Sequence, residues 1–465
     1  MMRPMQSSRL SRTLFPRLFK DRNVYWKGRW LSSSPNSRNE RTGDAGSHFD
    51  IVISGGGMVG FAMACAMGQS RRLSDRRILL LEGAPKKTWQ LPEEFSNRVC
   101  ALNRHTQKLF KKLGVWDRIT NMRLQPVRRM QVWESCSEAM ITFDETDEDG
   151  CVAHIVENDV ILNAIKAQVP DTVKVEYSSK IKGYSLPKDT STRVNISLED
   201  GRLLSTDLLI GADGMKSLVR ETMGSRYLAW EYDQMGIVAT LHLSEATENT
   251  VAWQRFLPTG PVALLPLSDD RSSLVWSTTR ENAKMLLKLS DEEFTDALNR
   301  AMWDDSKSDP RLQSVHERWM KILETFVPAR GADVRQLPSS ISGVATKSRG
   351  AFPLGLGHSV MYVAPRVALI GDAAHRVHPL AGQGVNLGFG DVSCLLKTLE
   401  SSVFLGNDIG DERELYKYES ERQKHNVVTM ASIDGLYRLY STTAPPIVLA
   451  RSLGLSTINL LPPVK

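Results

Sequence analysis

The residues best placed to do chemistry in this chain are acids and glycines at the ends of short apolar runs. Val367 to Ile370 reads as a buried strand that delivers Gly371 and Asp372 to its end. Beyond Pro379 a helix pattern opens at Gly382 and carries Val385, Val392, Leu395, Leu396 and Leu399 on one side. The strand thus ends in a hydrogen-bond acceptor, and the helix begins with backbone N–H groups aimed at the same space. A reduced flavin suits both, with ribityl hydroxyls that need an acceptor and negative charge near its pyrimidine end. Gly382, Gln383 and Gly384, with Val385 and Asn386 behind them, are expected to face that end, where a helix N-terminus favours an anion by about 0.3 to 2 kcal/mol.

Two further segments share this grammar. Asp50 to Ile53 runs into Gly55-Gly56-Gly57-Met58-Val59-Gly60 and then a small-residue helix through Ala62, Ala64 and Ala66. In a strand–glycine–helix unit of this kind Gly55 makes the tight turn, Gly57 lets backbone approach a pyrophosphate, and Gly60 allows close helix–strand packing. Arg77 to Leu81 reads as the next parallel strand, and Glu82, 22 residues past Gly60, stands where a ribose-binding acid is expected. The third segment, Asp207 to Gly211, leads to Asp213 and Gly214; alone it is an ordinary turn after a strand.

In this order and spacing the three segments resemble the flavoprotein monooxygenases of the para-hydroxybenzoate hydroxylase fold, over nearly all of residues 48 to 440. Ser96-Asn97-Arg98-Val99, Ile155-Val156-Glu157-Asn158, Trp253 to Pro258 with Gly260 to Pro266, and Tyr418 to Arg422 narrow the resemblance to the ubiquinone-biosynthesis hydroxylases, in their mitochondrial branch. The resemblance implies FAD held by Gly55, Gly57, Gly60, Glu82, Asp213, Gly214, Gly371 and Asp372, with Asp372 on the ribityl chain. It carries Arg98 over to the phosphate or ribose portion, and Asn158 to the same cofactor. It makes Pro379, Gly382, Gln383 and Gly384 the flavin-ring loop, with no side-chain acid or base assigned. The implied reaction is hydroxylation of a polyprenylated 4-hydroxybenzoate-type ring at C5, with O2 activated as a flavin C4a-hydroperoxide; the cofactor brings the chemistry and the protein brings position and shielding. Implied partners are that phenolic substrate and O2, ferredoxin with its reductase as electron donor, and other subunits of a coenzyme Q biosynthetic complex. A flavin-dependent reductase of isoprenoid double bonds and a structural subunit of that complex stay open as alternatives.

The expected fold class is α/β: a discontinuous Rossmann-like FAD-binding domain (48–129, 146–227, 346–400), an inserted, mostly antiparallel substrate sheet (130–145, 228–345) and a C-terminal helical region (401–465). Strand-like runs at Met130 to Glu134, Gly236 to Leu243, Val262 to Leu267 and Ser273 to Thr278 define the insert. The first 47 residues read as a mitochondrial transit peptide and linker, Arg-rich, Ser-rich and acid-poor, with Arg29-Trp30-Leu31-Ser32 resembling a matrix processing site. Residues 1 to 39 carry nine Lys or Arg against one acid, leaving 50 basic and 52 acidic residues in the rest, so the overall +6 gives no ground for nucleic acid binding.

Five scattered cysteines exclude a disulfide framework, and no Cys/His spacing suits zinc; His375 and His378 lack a third ligand nearby, so no metal is expected. No run is apolar for the roughly 18 residues that span a bilayer. The apolar tail, Ile447 to Leu461, is expected to pack on the body, with peripheral contact at the matrix face of the inner membrane as a second use.

Overall fold

The computed structural model describes residues 47–137, 139–144, 150–304, 314–316, 318–321 and 336–460. The transit-peptide expectation falls on residues outside that set.

Continuous apolar strands buried on both faces favour a parallel sheet covered by helices, and the first sheet has that core. Val367–Leu369, Leu203–Gly211, Ser47–Ser54, Ile78–Leu81 and Val173–Glu176 run parallel in that order. Helix Met58–Gln69 connects strand Ser47–Ser54 to strand Ile78–Leu81, and its Ala, Met and Cys side chains are buried almost all round. Strand Leu203–Gly211 is shared: its first half also pairs with Val194–Leu198 and its last residues with Val367–Leu369. The three chemistry-bearing turns therefore leave neighbouring strands at one edge, their carboxyl ends, where open α/β sheets bind ligands.

The second sheet has nine strands and is mostly antiparallel. Its spine is the 17-residue strand Tyr227–Leu243, flanked by Arg271–Thr279 and by Gly350–Ser359. Trp133, Trp253, Trp276, Phe294 and Leu298 form the core beneath it, roofed by helix Asp291–Trp303, whose Ser290 and Glu293 make a capping box. The expected runs all lie in this sheet, but the expected boundary at residue 346 is early. Gly350–Ser359 pairs with the spine strand, and the two-residue strand His375–Arg376 pairs with it in turn. The physical reason is that Phe352 to Leu356 complete the ladder of a long strand that would otherwise present an open edge. A third, small sheet of Val99–Leu102, Ala153–Glu157 and Gln125–Val127 stands apart from both.

Helix Glu412–Tyr440, capped by Asp411, closes the molecule against both sheets. Its Tyr418 hydroxyl donates to Leu369 O at 2.7 Å, and Glu419 accepts from Tyr362 N and Val363 N, so one helical turn braces the strand that leads to Asp372. Helix Pro445–Leu460 follows and is pinned by Arg451, whose guanidinium meets Glu134 at 2.6 Å with both groups buried.

The tightest packing is at Gly60, where an added Cβ would lie 1.9 Å from Gly55 O. Gly60→Ala must therefore push the first helix off its strand, and we expect a loss of about 3 kcal/mol or more by urea unfolding together with loss of bound FAD.

Candidate active site

The glycine turn is built by contact rather than by flexibility alone. Gly55 adopts φ +107°, and a Cβ there would lie 2.4 Å from Ala212 O, so the first and third turns touch backbone to backbone. Gly56 N donates to Glu82 Oε2 at 2.7 Å and Ala84 N donates to Oε1 at 2.7 Å, which fixes the carboxylate beside the turn while leaving it partly exposed. Gly57 is exposed, and a Cβ there would meet nothing within 4 Å. It caps helix Met58–Gln69, which has no side-chain cap and no acid in its first turn. An uncapped N-terminus opening on free space is suited to a pyrophosphate.

The turn at Asp213 and Gly214 lies alongside. Asp213 Oδ2 accepts from Leu218 N at 2.8 Å and from Val219 N at 3.2 Å, while Oδ1 is buried with no partner among the described residues. Gly214 has φ +77°. The Gly371–Asp372 turn packs from the other side: Cβ atoms added at Gly371 and Gly388 would lie 3.2 and 2.7 Å from Val59 methyls. Asp372 is accessible from the cleft yet lies deep within it. Desolvation raises its pKa above the usual carboxylate value, opposed by His375 and Arg376.

A buried network stands behind this turn. Asp391, wholly enclosed, accepts from Gly371 N at 2.9 Å, from His375 Nε2 at 2.6 Å and from Arg422 Nε at 2.7 Å. Burial alone would raise its pKa, but His375, Arg422 and the Gly371 N–H outweigh it and hold the carboxyl below its ordinary value. Sequence reading passed over Asp391 and Arg422 as a pair. The available signal was an acid on the apolar stripe of a helix, next to Val392 and Leu395, which cannot stay unpaired when buried.

The flavin-ring loop differs from expectation at its start. Pro379–Ala381 forms a 3-10 turn, Gly382 is left-handed at φ +59°, and the helix proper begins at Gly384 rather than Gly382. The left-handed residue is exposed, and a Cβ there would lie 3.6 Å from Ala101 Cβ. The Asn386 side chain turns inward, accepting from Thr106 Oγ1 at 2.8 Å and donating to Ala101 O at 2.8 Å, so it ties the helix to strand Val99–Leu102. At the other end of the loop His378 Nδ1 accepts from Leu380 N at 3.0 Å, so Nε2 carries the proton and donates to Gln234 Oε1 at 3.2 Å. Burial drives the His378 pKa down to about 4, so the ring is neutral near pH 7.

Arg98 is exposed and Asn158 sits at the start of helix Asn158–Lys166, its Oδ1 accepting from Cys100 Sγ at 2.8 Å. The Cys100 thiol is pushed up to about 12 by burial and by the Asp372 charge. Gly55 against Ala212, Gly371 against Val59 and Gly56 N on Glu82 bring the three turns and Glu82 together, while Arg98 and Asn158 are joined to each other, Asn158 N donating to Arg98 O at 3.0 Å. The orphaned Asp213 oxygen, the open space before Gly57 and the solvent-facing Asp372 fit FAD. The described residues include one cluster of metal-ligand type, His48, Asp50 and Asp207, but Arg193 and Arg77 already neutralise its acids.

Comparison with known proteins agrees with this geometry. The FAD binding domain family model matches residues 48–325 and 345–431. Ubiquinone biosynthesis monooxygenase COQ6, mitochondrial, of Mus musculus is 51% identical over 446 residues, 94% of this chain and 91% of that protein. The protein of that name from Homo sapiens is 51% identical over 426 residues, covering 90% and 91%. The chain belongs to the mitochondrial ubiquinone biosynthesis monooxygenases. This monooxygenase shares its fold with PqsL, a probable FAD-dependent monooxygenase from Pseudomonas aeruginosa, at TM-score 0.66 and 21% identity over 88% of this chain and 99% of that one. The p-nitrophenol 4-monooxygenase PnpA from Pseudomonas putida gives 0.63 at 17% identity, covering 90% and 96%. It is an FAD-dependent monooxygenase of α/β fold.

Asp391→Asn should leave the Arg422 charge uncompensated and cost about 3 to 5 kcal/mol at pH 7. Because the native Asp391 pKa is depressed, its contribution is complete above the unfolded value of about 4 and fades as pH falls through the native one. Urea titrations should therefore show a steeper acid loss in the parent protein than in the variant.

Proposed function

We propose that this monooxygenase hydroxylates a polyprenylated 4-hydroxybenzoate-type intermediate of ubiquinone biosynthesis, at ring carbon C5, at the matrix face of the mitochondrial inner membrane. The observation that carries the reading is the double anchoring of the flavin-ring loop. Asn386 fixes it to the small sheet through Ala101, and His378 fixes it to the second sheet through Gln234. The ring side of the cofactor cleft and the substrate wall are thereby held at one spacing.

FAD, when bound and reduced, supplies the activation of O2 and the transfer of one oxygen atom to an electron-rich ring. The chain supplies placement. Glu82, Asp213 and the N-terminus of helix Met58–Gln69 would hold the adenosine and pyrophosphate portions, with Arg98 and Asn158 at the rim. Asp372 would accept from ribityl hydroxyls, and the first N–H groups of helix Gly384–Phe404, from Gly384 and Val385, would stabilise charge at the pyrimidine end. Val377, Leu380, Leu387, Tyr232, Leu354 and Leu356 form one apolar cluster joining loop, helix and second sheet, which would exclude water on the ring side of the bound cofactor. His378, held neutral and used by Leu380 N and Gln234, positions the loop.

Asp372→Ala is expected to weaken FAD affinity by about ten- to hundredfold, the value of a charged hydrogen bond, as read by fluorescence titration of the apoprotein. For the reaction, cells lacking the activity should be rescued by a ring precursor already hydroxylated at C5. Purified protein should consume O2 in step with product, which an isoprenoid reductase would not. We further propose ferredoxin and its reductase as electron source: the flavin band should bleach with that pair and persist with NADPH alone. Rescue only by a precursor hydroxylated elsewhere, or rapid bleaching by NADPH, would overturn the corresponding part.

A further inference from the structure

Strand Val251–Leu257 alternates between two environments. Trp253 enters the core beneath the second sheet, and Arg255 reaches Ala301 O and Asp304 O at the end of helix Asp291–Trp303. Ala252, Gln254 and Phe256 therefore lie on the opposite face, the one that packs towards the small sheet and the flavin-ring loop. On that face Gln254 is in register with Val132 and with Ala263; the row continues to Ile141 on one side and through Val275 and Val238 to Gly350 on the other. This transverse row crosses most of the nine-stranded sheet, and Gln254 is its one polar side chain.

Gln254 is 7% exposed, and its carboxamide has no hydrogen-bond partner among the described residues. Neither Oε1 nor Nε2 is sealed off, however, so both end in accessible space. Beside it Ala263 and Val275 are half-buried although both belong to interior strands, which marks a hollow over the middle of the sheet. Other amides at the edge of this hollow are already committed. Gln234 donates to Thr259 O and pairs with His378, and Asn97 donates to Ser348 O.

Two apolar clusters bracket the hollow. Ala252 packs in the cluster against which Met130, Leu265 and Ala101 lie, and Phe256 packs in the cluster of Val377 and Leu380. Ala101 Cβ is 3.6 Å from the place of a Gly382 Cβ, and Ala101 O accepts from Asn386 Nδ2. The flavin-ring loop is thus held at Leu380 by one cluster and at Gly382 and Asn386 through the other, and on strand Val251–Leu257 the residue between the two clusters is Gln254.

A buried amide is costly unless its donor and acceptor are taken up. Replacing it by an apolar side chain would complete the row, so its retention points to a ligand. Ligand pockets combine apolar walls with a few placed polar groups, and a carboxamide suits a phenol: Oε1 accepts from the O–H while Nε2 donates to a lone pair of the same oxygen or of a neighbouring substituent. We propose that Gln254 recognises the ring hydroxyl of the substrate, with Ala263 and Val275 forming the apolar floor under the ring. The inference rests on the proposed function for the phenolic nature of the ligand. Gripping the ring by the oxygen next to C5 selects the substrate and the ring edge it presents in one contact.

The test uses FAD-loaded protein recovered from mitochondria and reads ring binding from the change in the flavin absorption band, without turnover or an electron donor. The probes are a short-tailed 3-prenyl-4-hydroxybenzoate and its counterpart lacking the ring hydroxyl. The parent should bind the hydroxylated ring about ten- to hundredfold more tightly, since the counterpart leaves the amide unpaired. Gln254→Leu should weaken binding of the hydroxylated ring alone and bring the two affinities within about twofold of each other, with flavin spectrum and melting temperature kept. Gln254→Met, closer in length, is the second variant and should behave in the same way. The same preference in parent and variants, or equal weakening of both rings, would overturn the inference, as would a parent that binds both rings alike. A parent that binds neither ring would instead overturn the proposed function.

Discussion

The structure depends on backbone meeting backbone at the carboxyl edge of one parallel sheet. Gly55 and Gly60 let the first turn close on itself and on Ala212, and Gly371 and Gly388 let the last turn close on Val59. A single methyl group at Gly55 or Gly60 would collide with carbonyl oxygen, which cannot move without moving its strand. Glycine there costs unfolded-state entropy, and the cost is offset by bringing three distant carboxylates, Glu82, Asp213 and Asp372, around one elongated space. The proposed dinucleotide recognition uses that geometry: helix N-termini and backbone amides would take phosphates, and fixed carboxylates would take hydroxyls.

What turns a cofactor clamp into a reaction site is the path of the chain from Gly371 to Asn386. It leaves the first sheet, adds His375–Arg376 to the edge of the second, makes the Pro379 turn, reverses at Gly382 and enters the long helix. Each stage is held by a different polar contact: Asp391 at the beginning, His378 in the middle, Asn386 at the end. Buried ionic pairs are weak sources of net stability. Asp391 is better understood as fixing one backbone geometry, since the Gly371 N–H in a left-handed turn has no strand partner and would otherwise be buried unpaired.

Much of the first sheet was legible, because its signals are local: a strand, a glycine turn and a helix within one βαβ unit, or an apolar run ending in an acid. The second sheet was legible as strands but not as a boundary. Whether Gly350 to Ser359 joins one sheet or the other depends on pairing with Tyr227–Leu243, more than a hundred residues away, and no local pattern encodes it. The inward turn of Asn386 and the union of Asp391 with Arg422 were hidden for the same reason. Their partners, Thr106 and Ala101 in one case and a later helix in the other, are distant in sequence. The segments that carried the family resemblance turn out to be braces: Glu157 accepts from Ser96 N, Arg255 caps helix Asp291–Trp303 through Ala301 O and Asp304 O, and Tyr418 to Arg422 support the Asp372 turn.

The same logic accounts for the unusual last helix. A tail rich in Leu and Ile would be expected to bury them, yet its most enclosed groups are Arg451, Ser452 and Ser456 with Val448. The body it packs on presents a buried carboxylate, Glu134, at the end of strand Arg129–Glu134, and a helix C-terminus at Leu439 that needs donors. Arg451 answers both at once, because a guanidinium offers several N–H groups in a fixed plane. Once the polar side is committed inward, Ile447 and Ile458 on the opposite side are left at the surface, a consequence of how the C-terminus is anchored.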